Sequence, residues 1–119
     1  MNSTYIITAE ELKIEDIAQI MQDQQTLGLD DEVKEKIVRC RKYLENKIKD
    51  SKALYYGINT GFGALCNKVI SNEDLNQLQK NLVMSHACGM GDEVSPEIVK
   101  MMLLLKIKGL SLGHSGVTL

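Results

Sequence analysis

The apolar positions of the chain fall into helix-spaced groups separated by short polar or glycine-bearing breaks. Tyr5-Ile6-Ile7 is a brief β-prone run. After it, Leu12, Ile14, Ile17, Ile20 and Met21 recur at the spacing of a short amphipathic helix, with Thr8 or a later residue as its expected cap. Leu27-Gly28-Leu29 breaks that pattern. Beyond Asp30, the series Val33, Ile37, Cys40, Leu44 and Ile48 predicts a second helix of about four turns. Its other face mixes Lys34, Lys36, Arg39, Arg41, Lys42 and Lys47 with Glu35 and Glu45, the pattern of a solvated helix surface more than of a basic patch.

From Ser51 to Asn59 the character changes, and Ala53-Leu54-Tyr55-Tyr56 reads as a short extended segment. It runs into Gly57-Ile58-Asn59-Thr60-Gly61-Phe62-Gly63, with three glycines in seven residues. Ser71, with Asp74 three positions on, is an expected helix start, and Leu75, Leu78 and Leu82 form the inner stripe. Gly89-Met90-Gly91 is the expected stop. Ser95-Pro96-Glu97 opens a further helix with a cap, a proline in the first turn and a carboxylate at the positive dipole end. Between Ile98 and Ile107 only Lys100 and Lys106 interrupt apolar residues. A helix apolar nearly all round calls for cover on most sides, more than a small domain has to offer.

The 119 residues suit one small domain read as a continuous unit, and 44% hydrophobic with 25% charged residues is ordinary globular composition. A net charge of −2 argues against a nucleic-acid binder working by bulk charge. One Phe, four Tyr and no Trp leave little for base stacking. The apolar run Met101–Leu105 is far shorter than the roughly 20 residues of a membrane span. No signal peptide is visible, and Cys40, Cys66 and Cys88 are odd in number and widely spaced. A disulfide framework and a zinc site are therefore disfavoured, and a reducing cytoplasm is the expected compartment.

Candidate chemistry is sparse. The glycine-rich loop lacks the Lys-Ser/Thr of a P-loop and the spacing of a dinucleotide fingerprint. As a bare pattern it is a surface turn first, although Tyr56, Asn59 and Thr60 stand beside glycines that allow close backbone approach to a ligand. His86, in Ser85-His86-Ala87-Cys88-Gly89, is read either as a helix-end cap or as a ligand contact, and Cys88 as a small packing residue. With two histidines and no HExxH, no metal site is expected, and no GxSxG is present.

Three ordered blocks carry a resemblance. Tyr56-Gly57-Ile58-Asn59-Thr60-Gly61-Phe62-Gly63 is followed by Leu78-Gln79-Lys80-Asn81-Leu82-Val83-Met84-Ser85-His86-Ala87-Cys88-Gly89-Met90-Gly91, and then by Gly113-His114-Ser115-Gly116-Val117. Together they resemble the aromatic amino-acid ammonia-lyase family over roughly residues 54–117, with a looser fit before that. The Ser85-His86 pair resembles the histidine ammonia-lyases within it. His114 and Thr118 depart from the family's usual Tyr or Phe and Arg. The resemblance implies a mainly α fold, a small helical N-terminal domain over residues 1–119 of the histidine ammonia-lyase and aspartase/fumarase-like type. One or two short strands are expected near residues 5–7 and 53–56.

The resemblance also implies a reaction, elimination of ammonia from L-histidine to give trans-urocanate in histidine breakdown. The family's electrophile is methylidene-imidazolone, cyclised from an Ala-Ser-Gly that does not occur in these 119 residues. The chain is accordingly expected to be an N-terminal fragment, inactive alone, of an enzyme whose central helical bundle tetramerises. Tyr56 corresponds to the family's catalytic base. A free phenol, ionising near pH ~10, needs an environment that favours phenolate to act in that way. His86 and Ser85 correspond to substrate contacts, a hydrogen-bonding site being one that rejects an apolar analogue. Gly57, Asn59, Thr60, Gly61, Phe62 and Gly63 correspond to a closing active-site loop. Neither nucleic acid nor membrane is an expected partner. The competing readings are another aromatic amino-acid lyase or aminomutase, and a non-catalytic helical interaction module that keeps the motifs.

Overall fold

A computed structural model describes residues 3–49, 53–71 and 73–119. Its elements run β1 (Thr4–Ile7), α1 (Ile14–Gln22), β2 (Thr26–Leu29), α2 (Asp31–Lys49), a short 3-10 turn (Gly63–Leu65), α3 (Leu75–His86) and α4 (Pro96–Ser111). The chain is thus mainly helical. It divides into two compact units, one of residues 1–46 with 93–119 and one of residues 47–92.

In the first unit, β1 and β2 pair in parallel with Thr4 opposite Thr26 and Ile7 opposite Leu29. Parallel strands need a crossover, and α1 supplies it. The pairing extends beyond the strands, because Thr26 N–H donates to the Ser3 carbonyl at 3.1 Å and Asp30 N–H to the Ile7 carbonyl at 3.0 Å. Leu27-Gly28-Leu29, a break in the sequence pattern, is therefore most of a strand. Four residues with a central glycine carry almost no strand signal of their own. Their partner, 22 positions upstream, creates the element.

Helix α1 starts later than Thr8. Lys13 takes the cap position, and the Asp16 carboxylate accepts its N–H at 3.0 Å. Thr8 instead forms a local turn, its hydroxyl accepting from Glu10 N–H. Asp30 opens α2, its Oδ2 accepting from Glu32 N–H at 2.9 Å. The predicted stripe holds: Val33 and Ile37 are buried, and Cys40, Leu44 and Ile48 are half-buried. The charged face is laced by ion pairs at helical spacing, Asp31–Lys34, Glu32–Lys36 and Arg41–Glu45, each at 2.7 Å. The Lys34 ammonium holds the Asp31 carboxyl below its ordinary pKa. This is the solvated surface that the sequence suggested.

Helix α4 begins as its cap predicts, with the Ser95 hydroxyl accepting from Ile98 N–H and Pro96 in the first turn. Lys108 ties it to the segment after β1 by donating to the Thr8 carbonyl at 2.7 Å and to the Glu10 carbonyl. Ile20, Met21 and Leu27 face Leu103, Leu104 and Ile107 across a groove of about 320 Å3. Leu104 is buried, but Met102 and Leu103 keep 62% and 56% of their surface exposed, and Ile98, Val99, Met101, Leu105 and Ile107 are exposed as well. No helix among the described residues is long and apolar enough to cross a membrane.

In the second unit, residues 53–56 correct the sequence reading. Ala53–Tyr55 have no strand pairing, and Tyr56 begins a turn, with the Tyr55 carbonyl accepting from both Ile58 and Asn59 N–H groups. The aromatic and apolar run looked extended, but the turn that follows reclaims its carbonyl. Residues 51 and 52, where that stretch was read to begin, lie outside the described residues. The Ser71–Asp74 pair forms a turn ahead of α3, with Asp74 N–H donating to Ser71, and α3 itself begins at Leu75. The helix ends at His86, before the predicted glycines.

The exposed apolar side chains of α4 generate a prediction. Cover for about five such groups stabilises by ~1.5–3 kcal/mol each. The 119-residue chain is therefore expected to self-associate at micromolar concentration, as read by sedimentation velocity. A chain that stays monomeric and melts cooperatively at high temperature under those conditions contradicts this.

Candidate functional site

The glycine-rich loop is built from its own polar groups. The Asn59 side chain, only 6% exposed, accepts from Tyr55 N–H at 2.7 Å through Oδ1 and donates to the Ala53 carbonyl at 3.0 Å through Nδ2. The Thr60 side chain, 0% exposed, donates to the Gly61 carbonyl at 2.9 Å and accepts from Gly57 N–H at 3.3 Å. A buried amide and a buried hydroxyl are thereby satisfied within one turn. Backbone pairing adds a second layer: Ile70 N–H donates to Asn59, Gly61 N–H to Lys68, and Thr60 and Val69 form an antiparallel bridge. The sequence placed Asn59 and Thr60 beside the loop's glycines, and their side chains hold the loop's backbone.

Two glycines are required by this geometry. A Cβ on Gly61 would lie 2.7 Å from Leu65 Cβ and 2.8 Å from its carbonyl oxygen. Gly57 has φ +74, which an L side chain rarely adopts. Phe62 packs edge-to-face on Tyr56, with ring centroids 6.1 Å apart and planes at 74°. Tyr56 is the residue that the loop holds outward, with 66% of its surface exposed. The loop clamps the backbone on both sides of it and leaves the ring accessible.

Helix α3 is joined to this loop. Gln79 Nε2 donates to the Gly57 carbonyl at 3.1 Å. Counted from Gln79, the positions −4, +3 and +7 are Leu75, Leu82 and His86, all on one helix face. His86 therefore lies about two turns, some 10 Å of helical rise, beyond the anchor on the same face. With Leu82, Val83 and Ala87 it lines an open depression of about 480 Å3 in which it is the one polar side chain.

At the end of α3 three polar atoms converge. His86 Nδ1 lies 2.9 Å from the Leu82 carbonyl and 3.0 Å from Ser85 Oγ, and Ser85 Oγ donates to that same carbonyl at 2.8 Å. The helix-cap reading of His86 is thus realised through Nδ1. Cys88, read as a packing residue, is exposed, with its thiol 3.8 Å from the Ser85 carbonyl. Its place beyond the helix end removes it from the inner stripe. Among the described residues no group of three or more His, Cys, Asp or Glu could hold a metal ion. Gln79 is the residue that sequence reasoning missed. It sits inside the Leu78–Gly91 block, and its position one residue after an inner-stripe leucine was the only available signal.

The loop's dependence on Asn59 can be tested by stability. Asn59→Ala removes both bonds of a buried amide, to Tyr55 N–H and to the Ala53 carbonyl, and a loss of about 1–3 kcal/mol is expected in urea denaturation. Asn81→Ala, which removes an exposed bond to Gln77, is expected to cost less than about 0.5 kcal/mol. Equal losses from the two would show that the Asn59 amide is not a buried clamp.

Comparison with known proteins gives these features a setting. The family model for aromatic amino acid lyases matches residues 12–119. A histidine ammonia-lyase of Caldanaerobacter subterraneus subsp. tengcongensis is 41% identical over 114 residues, 96% of this chain and 22% of that protein. The backbone follows that of an ergothioneine-degrading ergothionase from Treponema denticola, with TM-score 0.90 and 25% identity over 98% of this chain and 23% of that one. It likewise follows a histidine ammonia-lyase from Trypanosoma cruzi, with TM-score 0.82 and 31% identity over 98% of this chain and 22% of that one. The chain spans about a fifth of the length of the curated relatives it matches. The mainly helical fold with its short strands is the one these lyases share, and by sequence and by backbone this chain belongs to the aromatic amino acid lyase family.

Proposed function

We propose that this chain is the N-terminal domain of a histidine ammonia-lyase and supplies that enzyme with its proton-abstracting tyrosine and a polar substrate contact. The observation that carries the reading is the joined loop and helix. Tyr56 projects from a turn clamped by Asn59 and Thr60, and Gln79 fastens that turn to the helix bearing His86. The identity to histidine ammonia-lyases supports L-histidine as substrate and trans-urocanate as product. The three free thiols fit a reducing cytoplasm, and the exposed apolar face of α4 fits assembly into a larger helical oligomer, a tetramer in the reading by resemblance.

The chain's own residues define its share of the chemistry. Methylidene-imidazolone, when present, supplies the electrophile that makes the substrate amine a better leaving group. Its Ala-Ser-Gly precursor is absent from these 119 residues, so they do not build it. Elimination also requires removal of a proton from the β-carbon. An exposed phenol on a turn whose backbone is held by Asn59 and Thr60 meets the demand for access on such a base. Gly57 and the loop glycines allow the turn to lie close against a bound ligand. His86, a polar side chain at the edge of an apolar depression, would hydrogen-bond a polar ring and be left unpaired by an apolar one.

The test uses the full-length polypeptide, with the 119-residue chain as the control expected to form no urocanate. Tyr56→Phe keeps the ring against Phe62 and removes the hydroxyl, so kcat is expected to fall by several orders of magnitude with little change in histidine binding. His86→Leu is expected to shift the histidine-to-phenylalanine ratio of kcat/KM toward phenylalanine by about 1–3 kcal/mol. Near-normal turnover in Tyr56→Phe would place the base elsewhere, and an unmoved ratio in His86→Leu would leave His86 as a helix cap alone.

A further inference from the structure

The convergence of atoms at the end of α3 fixes more than the orientation of His86. A carbonyl oxygen only accepts hydrogen bonds, so the 2.9 Å approach of Nδ1 to the Leu82 carbonyl requires a proton on Nδ1. An unprotonated Nδ1 would set two lone pairs against each other at that distance. The Ser85 hydroxyl has one proton and donates it to the same carbonyl at 2.8 Å, which leaves its lone pairs for Nδ1 at 3.0 Å. Two acceptors thus converge on Nδ1. In a neutral imidazole the other nitrogen is then an acceptor. No partner for Nε2 appears among the described residues, and the ring is exposed beside the apolar depression.

We propose that the Leu82 carbonyl and the Ser85 hydroxyl lock neutral His86 as its Nδ1–H tautomer, so that it offers an accepting Nε2 and selects a ligand ring carrying an N–H donor. The part concerning substrate rests on the histidine ammonia-lyase reading; the tautomer does not. Ser85 becomes a positioning residue, because its hydroxyl is spent on the helix end and on His86. The cap and the contact are then one device. Nδ1 bonds back to the Leu82 carbonyl of its own helix, and that bond decides what Nε2 can recognise. An imidazole N–H satisfies that nitrogen, whereas a phenyl ring leaves it buried without a partner on binding. A ring bearing only acceptors is rejected for the same reason.

The tautomer can be read directly. Magic-angle-spinning 15N spectra of the chain with labelled histidine distinguish protonated from unprotonated ring nitrogens whatever its state of association. His114→Gln removes the other histidine signal. At about pH 8, above the ordinary range of imidazole titration, His86 is expected to show a protonated Nδ1 and a bare Nε2. The reverse pattern, which a free histidine side chain favours, overturns the proposal even if the enzyme acts on histidine. In the full-length polypeptide, Ser85→Ala is expected to lower the histidine-to-phenylalanine ratio of kcat/KM by roughly three- to tenfold, the effect of one weakened hydrogen bond. Ser85→Thr, which keeps the hydroxyl, is expected to restore it. Equal losses on both substrates would overturn the positioning role. If the full-length protein does not turn over histidine at all, the enzymatic reading fails and the spectrum still decides the tautomer.

Discussion

The Asn59 side chain ties Ala53 and Tyr55 to the far side of the turn with two hydrogen bonds, and the rest of the second unit's chemistry depends on that tie. A buried amide has no water to fall back on, so a rearrangement of the turn breaks two bonds that the Asn59 side chain cannot replace from solvent. Thr60 repeats the arrangement on a smaller scale with Gly57 and Gly61. Between them the backbone around Tyr56 has few ways to move, while the ring itself stays free. That is the combination a reacting side chain on a loop requires: rigid attachment and open access. Gln79 extends the rigidity into α3, which carries His86 at a fixed distance along the same face.

This framework explains which parts of the molecule were legible in the sequence. Periodicity announced the four helices, and capping residues marked the starts of α2 and α4. Asp30 and Ser95 sit where their side chains accept first-turn N–H groups, and the Val33–Ile48 stripe follows the buried side of α2. What failed was pairing and closure at a distance. β2 is a strand because β1 lies beside it, a fact that Thr26–Leu29 does not contain. Residues 53–56 looked extended because aromatic and apolar neighbours usually are, yet the Asn59 amide and the turn N–H groups capture them. Helix α3 ends at His86, short of Gly89, and the Ser85 and His86 side chains both bond back to the Leu82 carbonyl in its last turn. A glycine was not needed to stop the helix.

For the site, the motif blocks named the segments, and the structure adds how their side chains are held. Asn59 and Thr60 read as polar members of a glycine-rich loop, and their side chains are buried in bonds within that loop. His86 stood between two readings, helix cap and substrate contact, and the structure permits both because imidazole has two distinct nitrogens. The family relationship supplies what residues alone could not, membership of the aromatic amino acid lyases. The chain also spans only about a fifth of the length of those relatives, and α4 keeps most of its apolar side chains exposed.

The central claim is that the Tyr56 turn is a preorganised unit and not a mobile loop that orders on binding. Amide hydrogen exchange in the ligand-free chain tests it most directly. Tyr55, Asn59, Gly61 and Ile70 N–H groups all donate within the turn or across its bridge, to Asn59 Oδ1, Tyr55, Lys68 and Asn59 respectively. The account predicts that these four exchange slowly and with similar protection, as one cooperative unit opens. Exchange of all four at the rate of an unstructured peptide, with protection appearing only when a substrate analogue is added to the full-length enzyme, would contradict it.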